Sequence, residues 1–347
     1  MRLWAHSVQE AICVSFFTMY TRRELARLAL SAVPAAYVLR DVPLLGQSKP
    51  NSKVRGVLIG MNVPYNFGGR SAPIDEIIQK CVQLGVSGVE LRTQPVEADM
   101  GLAESVVTAA TPAGGRNAKP PTPEQEAARK TAIEELRKWR LSAPMDKAKA
   151  VKKKFDDAGI AIEIVKVDNI FTMTDDVVDY EFTLAKTLGA RAISTEITHI
   201  DPKAPPTAPL PEKRIGAFAD KHKLMVGYHG HAETGPKEWK EVFSYARHNG
   251  ANLDIGHFIV GNKTSPVPFL KEQHERITHV HVKDRTFDGK NVPFGTGDTP
   301  IKEVLQLIRD NKWPIQATIE FEYPVPEGSD RMVELKKCVE YCRNVLA

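Results

Sequence analysis

The sequence predicts a closed (β/α)₈ barrel, an α/β fold in which eight parallel strands alternate with helices. Short apolar runs alternate with segments of helical spacing in about eight units over residues 51–347. The strand segments are almost continuously apolar, as expected for parallel strands that are covered on both faces. An open doubly wound sheet is the alternative, but no glycine-rich fingerprint follows the first strand.

The predicted elements follow one another along the chain in a regular order. The strands lie at residues 56–61, 88–92, 160–165, 190–196, 224–231, 252–254, 278–283 and 314–322. The helices lie at residues 74–84, 123–139, 144–158, 175–188, 212–222, 237–248, 268–276, 300–311 and 329–346. In the first helix, apolar residues recur at helical spacing from Ile77 to Leu84, and Gly85 ends the element.

One long segment interrupts this alternation. Residues 95–121 contain Pro, Gly, Ala and Asn without periodicity, which predicts a mobile loop. A charged helix opens at Pro123, and the whole of residues 95–145 forms an insertion after the second strand. We expect this insertion to hang over the mouth of the barrel as a lid or to contact a neighbouring subunit.

Composition indicates an ordinary globular enzyme and excludes several other classes. The chain has 347 residues, 42% of them hydrophobic, and a formal net charge of +4, which is too mild to predict nucleic-acid binding. None of the four cysteines forms a CxxC pair, so a zinc ribbon is not expected. Cys338 and Cys342 lie one helical turn apart and are predicted to be buried. No membrane span is expected in the mature protein.

The N-terminal residues 1–50 read as an extension that ends in a linker. Thr21-Arg22-Arg23-Glu24-Leu25-Ala26 precedes an apolar run to Leu39, and this pattern resembles a twin-arginine export signal. The pattern predicts an exported, periplasmic protein. The alternative is an ordinary amphipathic N-terminal helix on a cytoplasmic protein.

Carboxylates and imidazoles recur at the ends of the predicted strands. They are Glu196, His229, His231, Asp254, His257, His281, Glu320 and Glu322. Because strand–helix loops line one mouth of such a barrel, we expect these side chains to converge there. Oxygen and nitrogen ligands without a thiolate suit one divalent ion, Mn²⁺ or Zn²⁺ in the first place, with Co²⁺ or Mg²⁺ as alternatives.

The combination of motifs resembles the xylose isomerase-like TIM barrel superfamily, which contains sugar phosphate isomerases and epimerases, inosose dehydratase and endonuclease IV. The motifs are Ser194-Thr-Glu196, Leu253-Asp254-Ile-Gly-His257, His279-Val-His281-Val-Lys283-Asp284, Phe294-Gly-Thr-Gly297 and Ile319-Glu320-Phe-Glu322. The resemblance implies a metal held by Glu196, Asp254, His281 and Glu320. It also decides the choice of His281 over His279 and of Glu320 over Glu322, since each pair shares one face of its strand.

The implied chemistry is proton transfer beside a sugar carbonyl through an enediolate, with Glu196 and Glu320 as the two acid–base groups. Substrate contacts are expected from Glu90, His231, His257 and Lys283. This predicts a metal-dependent isomerase or epimerase that acts on a small keto-sugar, without nucleic acid and with a homo-oligomer as an open option. A lyase or dehydratase acting on keto-sugars or inososes is the main alternative. A repair nuclease and a non-enzymatic sugar-binding barrel are weaker ones.

Several of these residues also have purely structural interpretations. Asp254 could cap a following helix, since Asp is favoured at that position. Glu196 could serve only a salt bridge, and Glu90 could pair inside the barrel. His229 is more readily interpreted as a structural histidine than as a ligand.

Overall fold

The computed structural model describes residues 49–110, 121–198 and 210–347. It divides the chain into two units, Met1–Ser48 and Lys49–Ala347, and only the second is described below. The twin-arginine pattern and the apolar run after it lie outside the described residues. Export therefore stays a prediction. Part of the predicted lid, residues 111–120, also lies outside them.

Nine strands among the described residues form one sheet. They are β1 (Lys53–Val54), β2 (Val57–Val63), β3 (Gly88–Arg92), β4 (Ala161–Lys166), β5 (Ala192–Glu196), β6 (Met225–His229), β7 (Asn249–Asp254), β8 (Ile277–Val282) and β9 (Gln316–Ile319). Strands β2 to β9 are parallel and pair in chain order, and β2 also pairs with β9 through Ile59 and Ala317. This pairing closes the ring, so the predicted eight-stranded parallel barrel is confirmed.

Twelve α-helices are found among the described residues. They are α1 (Ile74–Leu84), α2 (Thr93–Asp99), α3 (Glu104–Ala110), α4 (Pro123–Ser142), α5 (Met145–Ala158), α6 (Asp175–Thr187), α7 (Pro211–His222), α8 (Pro236–Tyr245), α9 (Ile255–Asn262), α10 (Val267–Gln273), α11 (Ile301–Asp310) and α12 (Arg331–Leu346). None of them, within the part of the chain described, has the length and hydropathy needed to cross a membrane.

The prediction of a loop over residues 95–121 is wrong for its first part, because α2 and α3 are helical. Each has only seven residues, which is too short for an apolar periodicity to be visible. Helix α2 forms because Val96 is buried in the core and Met100 is buried just beyond its end. The predicted position of the insertion is retained, since α2, α3 and α4 all lie between β3 and α5.

A second helix was missed after the strand that ends at Asp254. Asp254 ends β7 and its side chain accepts a hydrogen bond from the backbone N–H of His257, which starts α9 as an N-cap. His257 consequently lies in the first turn of a helix. The helix prediction at 268–276 corresponds to α10 and the 3₁₀ turn that follows it.

The main hydrophobic core lies between the barrel and the surrounding helices. Helix α1, for example, buries Ile74, Ile77 and Leu84, each of which contributes about 1.5–3 kcal/mol when buried. Cys338 and Cys342 are free and buried, as their spacing predicts. The carboxyl ends of the parallel strands form one mouth, and this mouth holds the polar cluster described next.

Candidate metal centre

Four neighbouring strands deliver polar side chains to the mouth at the same level. His229 and Asp254 are the last residues of β6 and β7, and His281 is the penultimate residue of β8. Glu320 follows β9 directly and is held in line with the barrel, since its backbone N–H donates to the carbonyl of Val282 at 3.0 Å. All four side chains are buried. The parallel register of the strands therefore brings together residues that are up to 91 positions apart in the chain.

One atom of each side chain points toward a common centre. His229 Nε2 lies 3.3 Å from Asp254 Oδ2, and His281 Nδ1 lies 3.9 Å from the same oxygen and 3.2 Å from Glu320 Oε2. The four ligand atoms all lie within 4.8 Å of one another. Donors at about 2.0–2.2 Å from a tetrahedral ion are roughly 3.4 Å apart. Small movements would therefore bring these four side chains around one ion.

The outward nitrogen of each imidazole is paired with a further carboxylate. His229 Nδ1 lies 2.8 Å from Glu196 Oε2, and His281 Nε2 lies 2.6 Å from Glu90 Oε2. Such a carboxylate holds the ring in position and makes its inward nitrogen a better ligand. The pairing therefore fixes Nε2 of His229 and Nδ1 of His281 as the inward nitrogens.

The two carboxylate ligands are oriented in the same way. Asp254 Oδ1 accepts from the backbone N–H of His257 at 2.7 Å, which leaves Oδ2 facing inward. Glu320 Oε1 accepts from Asn62 Nδ2 at 3.1 Å, which leaves Oε2 facing inward. The capping interpretation of Asp254 and its role in the site are compatible, because each uses a different oxygen.

Lys283 already places a positive charge among the inward oxygens. Its Nζ lies 3.0 Å from Asp254 Oδ2, 2.5 Å from Glu320 Oε2 and 2.9 Å from Glu322 Oε2. Burial opposes a charge on this ammonium group, but the carboxylates outweigh burial and raise the pKa of Lys283 well above its usual value. The local field therefore favours a cation at this position.

The donor set fits a divalent metal ion. His281 Nδ1 and Glu320 Oε2 are buried and face each other at 3.2 Å, and Lys283 Nζ lies beside the same carboxylate oxygen. Burial alone would lower the pKa of His281, but Glu320 and Glu90 raise it to about 10, so a proton or a metal ion is favoured on this ring. Two imidazole nitrogens with two carboxylate oxygens suit Zn²⁺ and Mn²⁺. His229, Asp254, His281 and Glu320 are the residues that would hold the ion.

Three of the four ligands expected from the sequence, Asp254, His281 and Glu320, thus lie together. Glu196 lies farther from the centre, on the outer side of the His229 ring. Its Oε2 contacts His229, its Oε1 pairs with Lys166 Nζ at 2.5 Å, and its side chain is 47% exposed at the rim. His229 is the fourth residue facing the centre, although the sequence favoured a structural role for this histidine. A sequence signal for His229 did exist. It ends β6, and β6 lies between the strands that end in Glu196 and Asp254.

Two of the predicted substrate contacts line the open mouth. The rings of His231 and His257 lie 4.7 Å apart, and His231 Nε2 is 3.3 Å from Glu196 Oε2. Burial lowers the pKa of His257 to about 3, because Asp254 does not offset burial and the nearby charge of Lys283. His257 is therefore neutral. Its Nδ1 lies 2.7 Å from Arg285 Nη1, and its Nε2 lies 3.3 Å from Lys283 Nζ.

Glu90 occupies a different environment from the one expected of a substrate contact. Its side chain is fully buried, with Oε2 between His281 Nε2 and His279 Nε2 at 3.4 Å. The histidines lower its pKa well below the usual range in spite of burial, which on its own would raise it. This carboxylate is in position to orient His281.

Comparison with known proteins agrees with the fold. Residues 212–343 match the family model described as xylose isomerase-like TIM barrel. This segment contains His229, Asp254, His281 and Glu320. The chain therefore has the fold of the xylose isomerase-like TIM barrels and, over this segment, their sequence pattern, which confirms the predicted resemblance.

Proteins similar to this chain include a dehydratase and an epimerase. An inosose dehydratase of Clostridium botulinum (strain Eklund 17B / Type B) is 32% identical over 76 residues, which cover 20% of this chain and only 25% of that relative. A D-psicose 3-epimerase from Clostridium cellulolyticum H10, solved with D-tagatose, aligns with a TM-score of 0.57 at 12% identity over 84% of this chain and 99% of that chain. The IOLI protein with a bound zinc atom aligns with a TM-score of 0.55 at 12% identity over 84% and 98%.

Proposed function

We propose that this protein is a divalent-metal-dependent sugar isomerase or epimerase that moves a proton on a carbon beside the carbonyl of a keto-sugar. The observation that carries the proposal is the set of four inward donor atoms on β6 to β9, each oriented by a second partner. Zinc in the structurally similar IOLI protein and the donor chemistry both support Zn²⁺ or Mn²⁺ as the ion.

The ion, when bound, supplies a Lewis acid that polarises the oxygens of the substrate and stabilises negative charge as it develops. The remaining work belongs to the protein's own side chains. His231 and His257 at the mouth offer hydrogen bonds to the substrate's hydroxyl groups.

The position of two carboxylates supports proton transfer on opposite faces. Glu196 ends the fourth strand of the ring and Glu320 follows the eighth, so the two enter the mouth from opposite sides. Lys166 and His229 hold Glu196 as a carboxylate and take its pKa far below the usual value, although burial opposes this. One carboxylate would remove the proton and the other would return it to the second face, which is the requirement for epimerisation.

Solvent-deuterium incorporation tests this proposal directly. Metal-loaded protein in D₂O is incubated with ketohexoses and inososes, and incorporation is followed by mass spectrometry. We expect incorporation by the unmodified protein and a loss of about 10²–10⁴-fold in Glu320→Gln and in Glu196→Gln. The matched control is His248→Gln, since His248 pairs with Asp220 at 2.7 Å outside the site. Lack of incorporation into every sugar, or full activity of Glu320→Gln, contradicts the proposal.

A dehydratase is the second candidate, and the match to inosose dehydratase favours it. The same proton removal would then be followed by loss of a hydroxyl group from the neighbouring carbon. The two outcomes separate in one experiment: an epimerase incorporates label and keeps the mass of the sugar otherwise unchanged, whereas a dehydratase forms a product that is lighter by one water.

A further inference from the structure

Both ring nitrogens of His257 lie close to a cation. Nδ1 is 2.7 Å from Arg285 Nη1, and Nε2 is 3.3 Å from Lys283 Nζ. Guanidinium and ammonium groups can only donate hydrogen bonds, whereas a neutral imidazole has one accepting nitrogen and one N–H group. Only one of the two contacts can therefore be a hydrogen bond to His257, and the other nitrogen carries the proton.

The shorter contact decides which nitrogen accepts. At 2.7 Å, an N–H group on Nδ1 would be forced against an N–H group of Arg285, so Nδ1 has to be the acceptor. Lys283 Nζ does not depend on His257 for an acceptor, because Asp254 Oδ2 at 3.0 Å and Glu320 Oε2 at 2.5 Å are both closer to it. The proton of His257 is therefore on Nε2.

The N–H group on Nε2 has no acceptor among the described residues. Asp254 Oδ2 lies 4.0 Å away, which is beyond hydrogen-bond distance. The His257 side chain is 16% exposed and stands in the first turn of α9, at the mouth of the barrel. Since Asp254 Oδ2 is one of the inward oxygens of the metal centre, a substrate oxygen bound beside this centre would lie within reach of the free N–H group.

Arg285 is held against His257 by its own loop. Its second terminal nitrogen, Nη2, donates to the carbonyl of Gly289 at 2.6 Å, and it forms no ion pair with any residue that the structure describes. Gly289 has a φ of +97°, a left-handed conformation that glycine adopts without strain. Two hydrogen bonds thus fix the planar guanidinium group, and Nη1 keeps its direction toward the imidazole.

The motif Phe294-Gly-Thr-Gly297 anchors the same loop. Asp284 Oδ2 accepts hydrogen bonds from the three consecutive backbone N–H groups of residues 295–297 at 2.8, 3.1 and 3.0 Å. A Cβ atom at Gly297 would lie 2.4 Å from Asp284 Oδ1, so this close approach requires glycine. Because Asp284 directly precedes Arg285, the turn fixes the backbone from which the guanidinium group projects.

A glycine in α9 leaves room for the contact. Gly256 directly precedes His257, and a Cβ atom there would lie 2.5 Å from Lys283 Cγ and 3.2 Å from Arg285 Cγ. The first distance is shorter than two packed carbon atoms allow. The glycine between Asp254 and His257 therefore lets the two cationic side chains that follow β8 reach the imidazole.

We infer that Arg285 is a positioning residue that holds His257 in the tautomer with its proton on Nε2, so that His257 donates a hydrogen bond to a substrate oxygen at the mouth. The reaction in which this oxygen takes part rests on the proposed function. A fixed N–H donor stabilises negative charge as it develops on a carbonyl or hydroxyl oxygen. His257 cannot serve as the base, because one nitrogen is protonated and Arg285 occupies the other.

Nuclear magnetic resonance tests the tautomer independently of activity. Zinc-loaded protein labelled with ¹⁵N-histidine is measured near neutral pH, and His257→Phe identifies the signals of His257 by their loss. We expect an accepting Nδ1 and a protonated Nε2 in the unmodified protein. In Arg285→Met only the Lys283 contact remains, so we expect the proton to move to Nδ1. Arg129→Met, which removes a surface arginine that pairs with Glu126, is the matched control and should retain the original tautomer.

Deuterium incorporation into the sugar is measured on the same proteins. We expect a rate about 10²-fold lower in His257→Phe, which deletes the donor, and about 10–100-fold lower in Arg285→Met, with the metal content unchanged. Because Arg285 acts through His257, the double variant should be no slower than His257→Phe alone. Arg285→Lys keeps a group that only donates and should retain the Nε2 proton.

Three results overturn the inference: a proton on Nδ1 in the unmodified protein, an unchanged tautomer in Arg285→Met, or additive losses of rate in the double variant. The expected tautomers without label in any sugar would leave the positioning of His257 standing and refute only the proposed reaction. Label in a sugar together with the opposite tautomer would refute only the role of Arg285.

Discussion

At the scale of single residues, the candidate centre depends on how carboxylates orient imidazoles. Each of the two histidines that face the centre has a carboxylate on its far nitrogen, Glu196 for His229 and Glu90 for His281. The orienting residues and the ligands therefore belong to one hydrogen-bonded group. Substituting a ligand or an orienting carboxylate should weaken metal binding, and we expect the larger loss for a ligand.

The first prediction separates His229 from Glu196. His229→Gln removes a donor atom, so we expect less than one metal ion per chain after dialysis. Glu196→Gln leaves all four donors in place and should lower metal affinity by only about 10–100-fold, because it removes an orienting partner. Metal content by mass spectrometry and affinity by competition with a chelator measure the difference. If Glu196→Gln loses the metal and His229→Gln retains it, the assignment of the fourth ligand is wrong.

The second prediction concerns Glu90. We expect Glu90→Gln to fold and to lower metal affinity by about 10–100-fold, since the amide holds the His281 ring less strongly than a carboxylate does. The Michaelis constant measured at saturating metal should stay unchanged, because Glu90 is fully buried and does not reach the mouth. Glu163→Gln, on an adjacent strand, is the control. A raised Michaelis constant at saturating metal would instead indicate contact with substrate.

At the scale of elements, the insertion is attached to the barrel by a buried charge cluster. Arg140 of α4 pairs with Glu97 of α2 at 2.7 Å and lies 3.3 Å from Glu181 of α6. Two carboxylates share one guanidinium group, and Asp168 adds further negative charge near Glu181. Burial raises the pKa of Glu181 to about 8, because Arg140 offsets burial only in part.

The third prediction follows from this pKa. A carboxyl group whose pKa is raised in the folded state, from its ordinary 4.5 to about 8, stabilises the fold at low pH and loses that contribution as the pH rises toward 8. We expect the free energy of unfolding to fall between pH 4.5 and about pH 8, the interval between the two pKa values, and to fall by about 1–2 kcal/mol less in Glu181→Gln. Urea titrations at each pH measure both slopes. Glu134→Gln on the surface of α4 should retain the slope of the unmodified protein, and a slope shared by all three proteins would contradict the prediction.

At the scale of the whole molecule, the closed ring leaves little space inside the barrel. A Cβ atom at Gly227 of β6 would lie 2.1 Å from the hydroxyl oxygen of Thr278. That hydroxyl group cannot move freely, since it donates to the carbonyl of Ala251 at 3.1 Å and contacts His279 Nδ1 at 2.9 Å. Glycine at this position is therefore a requirement of barrel packing.

The fourth prediction tests this packing. We expect Gly227→Ala to lower the free energy of unfolding by about 1–3 kcal/mol, as overpacking of a core does. Gly69→Ala is the matched control, because the nearest atom to an added Cβ there lies at an ordinary 3.4 Å. Denaturant midpoints measure the difference between the two variants. Equal midpoints would indicate that the barrel interior can relax around an added methyl group.

The sequence by itself determined the ring of eight strands, because apolar runs of strand length alternate with helices whose amphipathic spacing is local information. It also predicted that acidic and imidazole side chains would meet, since the carboxyl ends of parallel strands share one mouth. The resemblance to the family then selected Asp254, His281 and Glu320 among them. Only the tertiary structure decided that His229 lies with them and that Glu196 lies behind it. The separation of these roles depends on side-chain direction and on distances of a few ångströms across neighbouring strands, which no local pattern encodes. The short helices α2 and α3 were likewise not predicted, because seven residues are too few to show an apolar periodicity and the burial of Val96 in α2 depends on the folded core.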